Sequence, residues 1–522
     1  MNLFEVVIIL LVAGALLAAV ARRMGVPYPA FLALAGTGLA LVPSAPTLSL
    51  EPNLVLTLFV APVLLDAAYD ASPRDLRKYW RPIAGGAIGA VCLTVVAVAV
   101  VARWLRPDMS WAVALALGAI VAPPDAVAAT TVLRTLRPPH RVMVVLEGES
   151  LLNDATALLI YRVAVAAALG GWSGWSALPS LITAILGGIA LGGGFGWLFP
   201  RLLAPLRDVP TSVIVQFFGV FALWIAADRL GLSPVVTLVS FAIVIARVAP
   251  ARMPARHRIQ SYAVSEVAVF VLNVLAFIIA GLQLRPIVAA LPTGGWRDPV
   301  LFAGAILLAS IAMRAAWVTG YVTIARWHYR RHRGDRQDLL APPTFGAGVV
   351  VAWCGMRGVV TLATALALPE GAAGDFPFRG LILLSAFTVV VGTLVLQGLT
   401  LRPLLQALRL RDDGPVEREV RLARRRTAQA ALAALAHYHG PYADALKAEY
   451  DARLAGRGEQ GSAKRGDARA SSIEPRRRAL DAERRELLAL RRNDEIGDDA
   501  FHAIEEELDW GDMYVEGRLG RG

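Results

Sequence analysis

Charged residues are scarce in this sequence, at 18% of 522 residues, whereas hydrophobic residues make up 56%. Soluble chains carry about 25% charged residues, so the composition argues against a soluble globular protein. Cysteine is also scarce, and the two cysteines, Cys92 and Cys354, lie inside apolar runs. We interpret them as small buried residues, which argues against a disulfide, a thiolate metal site or a cysteine nucleophile.

Positive charge is missing where a signal peptide would need it, which is before the first apolar run. The stretch Val6–Ala21 contains no charged residue, and Arg22 and Arg23 follow it. We therefore expect a retained first helix that starts outside the cytoplasm.

Long apolar runs dominate the chain up to residue 402. A bilayer core about 30 Å thick requires roughly 20 apolar residues in a helix. The runs predict an all-α, polytopic membrane protein. We predict about thirteen transmembrane helices, at 3–21, 27–46, 53–70, 83–102, 112–133, 143–169, 177–201, 210–227, 231–249, 261–283, 299–325, 343–368 and 377–402.

Basic residues alternate between the loops of this arrangement. One set of loops carries 20 Lys and Arg, and the intervening set carries 6. Because cytoplasmic loops are rich in Lys and Arg, the pattern predicts a cell-membrane protein with its N-terminus outside and its C-terminus in the cytoplasm. The net charge of +11 then favours contact with anionic lipid headgroups rather than with nucleic acid.

The character of the chain changes after residue 407. We predict a transmembrane domain at 1–407 and a cytoplasmic helical tail at 408–522, in which 22 basic residues nearly balance 23 acidic ones. This balance argues against nucleic-acid binding by the tail. The tail has either a role in regulation or dimer contact, or no role beyond that of a solvated appendage. Its predicted helices are 415–438, 441–455, 475–492 and 498–510, with a linker at 456–472.

Carboxylates inside the predicted spans are the main functional signal. A charged side chain at the membrane centre costs about 3 kcal/mol on insertion scales. Asp125 lies within the fifth span, and Glu147, Glu149 and Asp154 lie in the sixth. Such groups require a partner, a water-filled cavity or a function.

Other polar residues in the spans carry weaker signals. Asp66, at the end of the third span, is expected at the membrane interface. Glu266 and Asn273 lie seven residues apart on one helix face and are expected to form polar contacts between helices.

Two prolines, Pro123 and Pro124, directly precede Asp125. They remove two amide donors and obstruct a continuous helix. Irregular backbone at membrane depth occurs where it is buried in protein or lines a cavity, and a broken helix beside a carboxylate is typical of ion sites in secondary transporters. Gly355 and Gly358 suggest a second interrupted helix in the other half of the chain.

Glu149 requires a cationic partner. It lies five residues before Asp154, about 140° away around the same helix, and therefore faces a neighbouring helix. Two intramembrane arginines, Arg314 and Arg357, are candidates. We favour a structural ion pair of Glu149 with Arg357, because the glycines on either side of Arg357 allow another helix to approach closely.

The remaining groups can hold a hard monovalent cation, which prefers oxygen ligands. Asp154, Asp125, Ser150 and Thr130 supply them, and Ser150 shares the Asp154 face because it lies four residues earlier. Asn153 offers a neutral amide that can orient the ligands. A desolvated carboxylate can hold either a cation or a proton, and this competition is sufficient for exchange.

The segments that contain these residues resemble the sequence motifs of a known protein family. The segment Leu146–Thr156 reads Leu-Glu-Gly-Glu-Ser-Leu-Leu-Asn-Asp-Ala-Thr. It resembles the signature of the sodium/proton exchanger family, in particular that of bacterial monovalent cation:proton antiporters with an Asn-Asp pair. Val121–Val127 resembles the family's Thr-Asp-Pro motif, and Gly355–Gly358 its Gly-x-Arg-Gly motif. The resemblance covers about residues 3–405, and Leu490–Ala500 also resembles the tails of bacterial members.

The resemblance implies that Asp154 carries the proton and the ion in turn, supported by Asn153, Ser150 and Asp125. Asp154, Asp125 and Ser150 would form the Na+ transport site. The single aspartate of the Asn-Asp pair implies electroneutral exchange for pH and sodium homeostasis. The fold would be a homodimer of protomers with inverted repeats, moving as an elevator.

The same resemblance implies a transporter that is not an enzyme and has no cofactor besides the transported Na+ and H+, with membrane lipid and a second copy as partners. In the Thr-Asp-Pro motif, Pro124 replaces the threonine and Ala126 the proline. A hydroxyl ligand is thereby lost, which leaves the preference among Na+, Li+ and K+ open.

Two other classes remain as alternatives. An intramembrane aspartyl protease would also place aspartates in neighbouring spans, but the expected Gly-x-Gly-Asp context is missing and thirteen spans are too many. A proton-coupled symporter or a channel is the other alternative, which only the family signature separates from an antiporter.

Overall fold

The computed structural model contains helices, turns and short extended segments, and no β-strand, in the residues that it describes. These are 3–43, 55–136, 138–170, 177–203, 206, 208–249, 253–289, 295–331, 343–370, 376–410, 414–455 and 473–519. The predicted tail linker at 456–472 lies outside them.

Up to residue 203, the described part of the chain forms ten α-helices. They are α1 Leu3–Met24, α2 Tyr28–Ala40, α3 Ala61–Asp70, α4 Pro73–Lys78, α5 Trp80–Ala84, α6 Val91–Leu105, α7 Trp111–Val121, α8 Ala126–Leu136, α9 His140–Ala168 and α10 Ala177–Leu203. Turns of π-helix at Leu56–Val60 and Gly85–Ala90 lead directly into α3 and α6.

Among the residues described beyond position 203, eight further helices belong to the membrane part and four to the tail. The former are α11 Val209–Arg229, α12 Pro234–Val248, α13 Ala255–Leu282, α14 Leu284–Ala289, α15 Arg297–Arg331, α16 Phe345–Trp353, α17 Val359–Leu366 and α18 Arg379–Leu408. The tail helices are α19 Pro415–Leu435, α20 Pro441–Leu454, α21 Ile473–Arg492 and α22 Asp498–Leu519.

Local sequence explains several helix starts. The hydroxyl oxygens of Ser110 and Ser233 accept hydrogen bonds from backbone N–H groups in the first turns of α7 and α12. The carboxylate of Asp208 does the same for α11, where it accepts from the N–H of Thr211. Each side chain satisfies one of the N–H groups that a helix start leaves without a partner.

Helices long and apolar enough to cross a bilayer confirm the polytopic membrane class. Among the described residues, 9 helices meet both criteria, and three shorter apolar helices accompany them. Every predicted span overlaps one of the observed helices, while the number of crossings stays a prediction.

Large apolar side chains are exposed on the outer helices, for example Phe4, Trp104 and Leu301. Such a surface suits contact with lipid. The expectation that both cysteines are buried is wrong in part, because Cys354 is buried but Cys92 is exposed on α6. A helix in a membrane can turn apolar residues towards lipid as well as towards the core, so an apolar run does not predict burial in protein.

Helix α9 lies at the centre of the membrane part. Its residues contribute to three hydrophobic clusters: Leu146 to one formed mainly with α1, α2 and α13, Leu151 to one with α10, α11 and α12, and Tyr161 to one with α6, α7 and α18. The carboxylates of α9 are therefore surrounded by protein, which positions the candidate site.

The tail forms a compact unit that packs against the membrane part. Its core includes Leu487, Phe501 and Ile504. The guanidinium of Arg258, at the start of α13, forms a buried ion pair with Asp509 on α22. These contacts join the two parts, and the domain division at residues 407 and 408 stays a prediction.

A buried carboxyl inside the tail predicts a pH effect. Burial raises the pKa of Glu483 to about 7 from an ordinary value of 4.5, although the Tyr450 hydroxyl, which donates to Glu483 Oε2 at 2.8 Å, and the nearby Arg453 and Arg476 favour the charged form. Between these two pH values the folded tail binds more protons than the unfolded chain. The free energy of tail unfolding should therefore fall as the pH rises through this window.

Replacing Glu483→Gln should remove this pH dependence, because the amide still accepts the Tyr450 hydrogen bond but does not titrate. We would measure hydrogen–deuterium exchange of α21 in the full chain on both sides of the window, corrected for intrinsic rates. Glu474→Gln, an exposed change on the same helix, is the control. An unchanged pH response in Glu483→Gln would show that another group is responsible.

Candidate ion-binding site

Two interrupted helices meet at the centre of the membrane part. Helix α7 ends at Val121 and α8 begins at Ala126, while α16 ends at Trp353 and α17 begins at Val359. Both predicted interruptions, at Pro123-Pro124 and around Gly355 and Gly358, are thereby confirmed. The two extended segments are hydrogen-bonded, since the Asp125 N–H donates to Met356 O at 2.6 Å.

Gly358 makes this crossing possible. A Cβ atom at this position would lie only 1.7 Å from Asp125 Oδ2. The glycine is therefore needed for space, because any larger residue would push the carboxylate of Asp125 out of the crossing.

Arg357 binds the ends of the interrupted helices. Its side chain is 1% exposed. The guanidinium donates to Val121 O at 3.0 Å, to Ala122 O at 3.4 Å and also to Gly355 O. Because helix C-termini carry partial negative charge, this cation neutralises the C-terminal ends of α7 and α16 where they meet.

Glu149 pairs with Arg314 on α15. Arg314 Nη1 lies 2.5 Å from Glu149 Oε1, Nη2 lies 3.2 Å from Oε2, and both side chains are about 4% exposed. The favoured pairing of Glu149 with Arg357 is wrong, and the other candidate is the partner. The guanidinium of Arg357 is occupied by helix-end carbonyls. A Cβ at Gly355 would lie 2.2 Å from Arg314 Cδ, so this glycine makes room for Arg314.

Asn153 and Ser150 attach α9 to the first interruption. Asn153 Nδ2 donates to Pro124 O at 2.8 Å, and Ser150 Oγ accepts from the Ala126 N–H at 3.3 Å. Asp125 Oδ1 accepts from the Val127 N–H at 2.9 Å and so caps α8. Two of these contacts compensate for the backbone groups that the prolines leave without helical partners.

Asp154 lines a cavity of about 410 Å³. Its side chain is buried, with 8% of the residue exposed. The cavity wall extends from Asp154 and Asp125 to Glu147 and Arg134, near the end of α8 and the start of α9. In the other direction, α9 continues into a hydrophobic cluster that includes Tyr161. The cavity therefore extends from Asp154 towards the end of α9 at which the helix begins.

The predicted site residues have different positions. Asp154, Asp125, Ser150 and Thr130 all line the cavity, whereas Asn153 is fully buried behind it. Residues with two carboxylates and two hydroxyls therefore line one space, and oxygen is the ligand type that suits a hard monovalent cation.

Three further polar residues, Asp66, Glu266 and Asn273, line the same cavity. They were not predicted as site residues from the sequence. Their signal was present, because each is a polar residue inside an apolar span. The sequence does not show that α3 and α13 lie opposite α9, so these residues could not be placed at the site. Within the described residues, no three His, Cys, Asp or Glu side chains form a group that could hold a metal ion.

The transmembrane model of the sodium/hydrogen exchanger family matches residues 7–407. The chain belongs to the sodium/hydrogen exchanger family. The match spans both interrupted helices and α9, so the site described above lies entirely within the matched residues.

Several relatives carry exchanger names. A protein of Mycobacterium tuberculosis described as an uncharacterised Na+/H+ exchanger is 34% identical over 445 residues, which are 82% of this chain and 79% of that protein. The exchanger YjcE of Escherichia coli is 28% identical over 98% of both chains. A Bacillus subtilis antiporter named for sodium, potassium, lithium and rubidium is 28% identical over 76% of this chain and 60% of its own.

A solved structure shares the exchanger fold. The sodium proton antiporter MjNhaP1 of Methanocaldococcus jannaschii, at pH 8, has a TM-score of 0.58 and 18% identity, over 78% of this chain and 99% of that one. The all-α membrane fold predicted from the sequence agrees with this likeness.

Proposed function

We propose that the chain is a secondary active antiporter that exchanges protons for Na+, and that Asp154 binds the two ions in turn. One observation carries the assignment of the site. Asp154 is a buried carboxylate beside a helix interruption, yet it faces a cavity that also exposes Asp125 and Ser150. The role in pH and sodium homeostasis follows from this exchange.

Exchange follows from the cost of burying an uncompensated charge. An ionised carboxylate away from water requires a counter-charge. At Asp154 either Na+ or a proton can neutralise the carboxylate, but one excludes the other. The protein therefore changes its accessible side with the site neutralised, which couples the two ion flows.

The other predicted residues support Asp154 in different ways. Asp125 supplies an oxygen ligand from the helix interruption that faces α9, and Ser150 supplies one from the same face of α9 as Asp154. Asn153 fixes α9 to the interruption through Pro124 O. Arg357 cancels the negative ends of α7 and α16, so the cation binds at Asp154 instead of at the helix ends.

We further propose one-for-one, electroneutral exchange. Asn153 stands where a second carboxylate would carry another charge, so one carboxylate accounts for one cation or one proton. The replacement of a threonine by Pro124 leaves Na+, Li+ and K+ as candidate cations.

A cation panel in proteoliposomes tests substrate and stoichiometry together. Full-length protein would be reconstituted with an internal pH dye, and Na+, Li+ or K+ would be added with and without an imposed membrane potential. We expect Na+ to drive proton movement at a rate that the potential does not change. A rate that follows the potential would contradict electroneutrality, and no response to any cation would contradict the function.

The assembly and its placement are proposals as well. We propose a homodimer in the cell membrane, with lipid around the outer helices, the N-terminus outside and the tail in the cytoplasm. The division into a transmembrane domain at 1–407 and a tail at 408–522 belongs to this proposal, as does the absence of enzymatic activity.

A further inference from the structure

A second large cavity, of about 630 Å³, lies between the membrane part and the tail. Six arginines contribute to its wall and only two acidic residues, Asp494 and Asp498. Three of the arginines belong to the membrane part and three to the tail. They are Arg74, Arg77, Arg247, Arg485, Arg491 and Arg492.

Acidic partners occupy part of this positive charge. Arg74 pairs with Glu419 at 2.7 Å, and Arg491 pairs with Asp498 at 2.5 Å. The second terminal nitrogen of Arg74, Nη1, is buried without a hydrogen-bond partner among the described residues. The cavity therefore holds at least one buried donor that requires an acceptor.

The remaining arginines add charge without compensation. Within the described part of the chain, Arg77, Arg247 and Arg492 have no acidic partner within 4 Å. Arg77 and Arg247 come from α4 and α12, whereas Arg492 ends α21. All three residues are exposed and can be reached by an anion. Because like charges repel one another, an anion bound between these three helices would relieve their repulsion.

We propose that this cavity binds a phosphate-bearing anion. Guanidinium groups form paired, charge-assisted hydrogen bonds with phosphate oxygens, and the cavity has the size of ordinary small-ligand pockets, which are roughly 300–1,000 Å³. The phosphate comes either from an anionic lipid headgroup, since the cavity lies at the predicted cytoplasmic surface, or from a soluble phosphorylated molecule.

The anion would hold the tail against the membrane part, because arginines of both parts would bind it. The same junction contains Glu419, which accepts from Arg74 and also from the Gly497 N–H at 2.6 Å. Binding would therefore stabilise α21 and the turn that follows it, and it would link the tail to ligand concentration or to lipid composition. This inference is independent of the transport site.

Pyrophosphate is the soluble probe for the first test. The full chain in neutral detergent would be titrated with pyrophosphate at constant ionic strength, following thermal unfolding and hydrogen–deuterium exchange of α21. We expect saturable protection in the wild type. The double variant Arg247→Gln/Arg492→Gln should weaken binding about tenfold or more. The single variant Arg425→Gln, an exposed tail arginine away from the cavity, should behave as the wild type.

Nanodiscs distinguish the two phosphate sources. Protection of α21 that appears in phosphatidylglycerol but not in phosphatidylcholine, and that the double variant loses, assigns the site to a lipid headgroup. Arginine-dependent protection by pyrophosphate in phosphatidylcholine assigns it to a soluble ligand. If α21 responds equally in wild type and double variant under every condition, the cavity is not an anion site and the proposal is wrong.

Discussion

Replacing Asp154→Asn is expected to abolish cation-driven proton movement while the protein still folds. The amide has nearly the same shape as the carboxylate, so the packing of α9 is preserved. It cannot exchange a proton for a cation, however, and it removes the charge that neutralises Na+. The measurement is the initial rate of internal pH change in proteoliposomes after a Na+ pulse, which should fall to the rate of empty liposomes.

Two further variants make this result interpretable. Asp228→Asn changes an exposed aspartate on α11. This aspartate pairs with Arg162, which lies on the same helix as Asp154, and the substitution should leave exchange near the wild-type rate. Asp154→Glu retains a titratable group at a shifted position and should retain reduced exchange. Exchange at the wild-type rate in Asp154→Asn would refute the assignment of the carrier.

The second large effect is expected on stability. Replacing Glu149→Gln leaves the Arg314 guanidinium buried without its counter-charge, with Val351 O as a remaining acceptor at 3.1 Å. Breaking a buried ion pair in this way costs about 3–5 kcal/mol. We therefore expect a clear fall in the thermal unfolding temperature of the detergent-solubilised protein.

Helix α9 provides a matched control for this prediction. Arg162 on the same helix pairs with Asp228 at 3.3 Å, but both side chains are about half exposed. Such surface pairs contribute roughly 0–1 kcal/mol, so Arg162→Gln should barely shift unfolding. The double variant Glu149→Gln/Arg314→Gln should recover part of the loss. If Glu149→Gln unfolds at the wild-type temperature, Arg314 is not held by this pair.

The parts of the site that depend on residue type alone could be predicted from the sequence. Pro123 and Pro124 cannot continue a hydrogen-bonded helix, so the interruption between α7 and α8 follows from residue type alone. Asp125 and Asp154 lie in apolar runs where a carboxylate is costly, which marks them without any knowledge of their neighbours. The pattern of apolar runs likewise gave the helical membrane fold.

The identity of partners between helices could not be predicted in the same way. Helical spacing correctly turned Glu149 away from Asp154, but two arginines remained available. The choice depends on α15 passing Gly355, where a missing side chain makes room for Arg314. The glycine was recognised as a point of close approach, yet its neighbour is a matter of tertiary packing.

The same limit applies to the cavity wall and to the tail. Asp66 and Glu266 belong to α3 and α13, which are distant from α9 in sequence, so only the packing of these helices brings them to the site. The arginine-lined cavity under the tail similarly combines residues separated by more than 200 positions. From the sequence, the basic residues of these loops predicted only the membrane topology, and they did not indicate a binding site.

The central claim is that one carboxylate binds either a proton or a sodium ion, and counting protons tests it most directly. Na+ would be titrated into well-buffered, detergent-solubilised protein, and calorimetry in buffers of different ionisation enthalpy would count the protons released. We expect about one proton released for each Na+ bound at a pH below the midpoint of the Asp154 titration, where the carboxyl is protonated before Na+ binds, and none in Asp154→Asn. Sodium binding without proton release, or equal release in that variant, would contradict the claim.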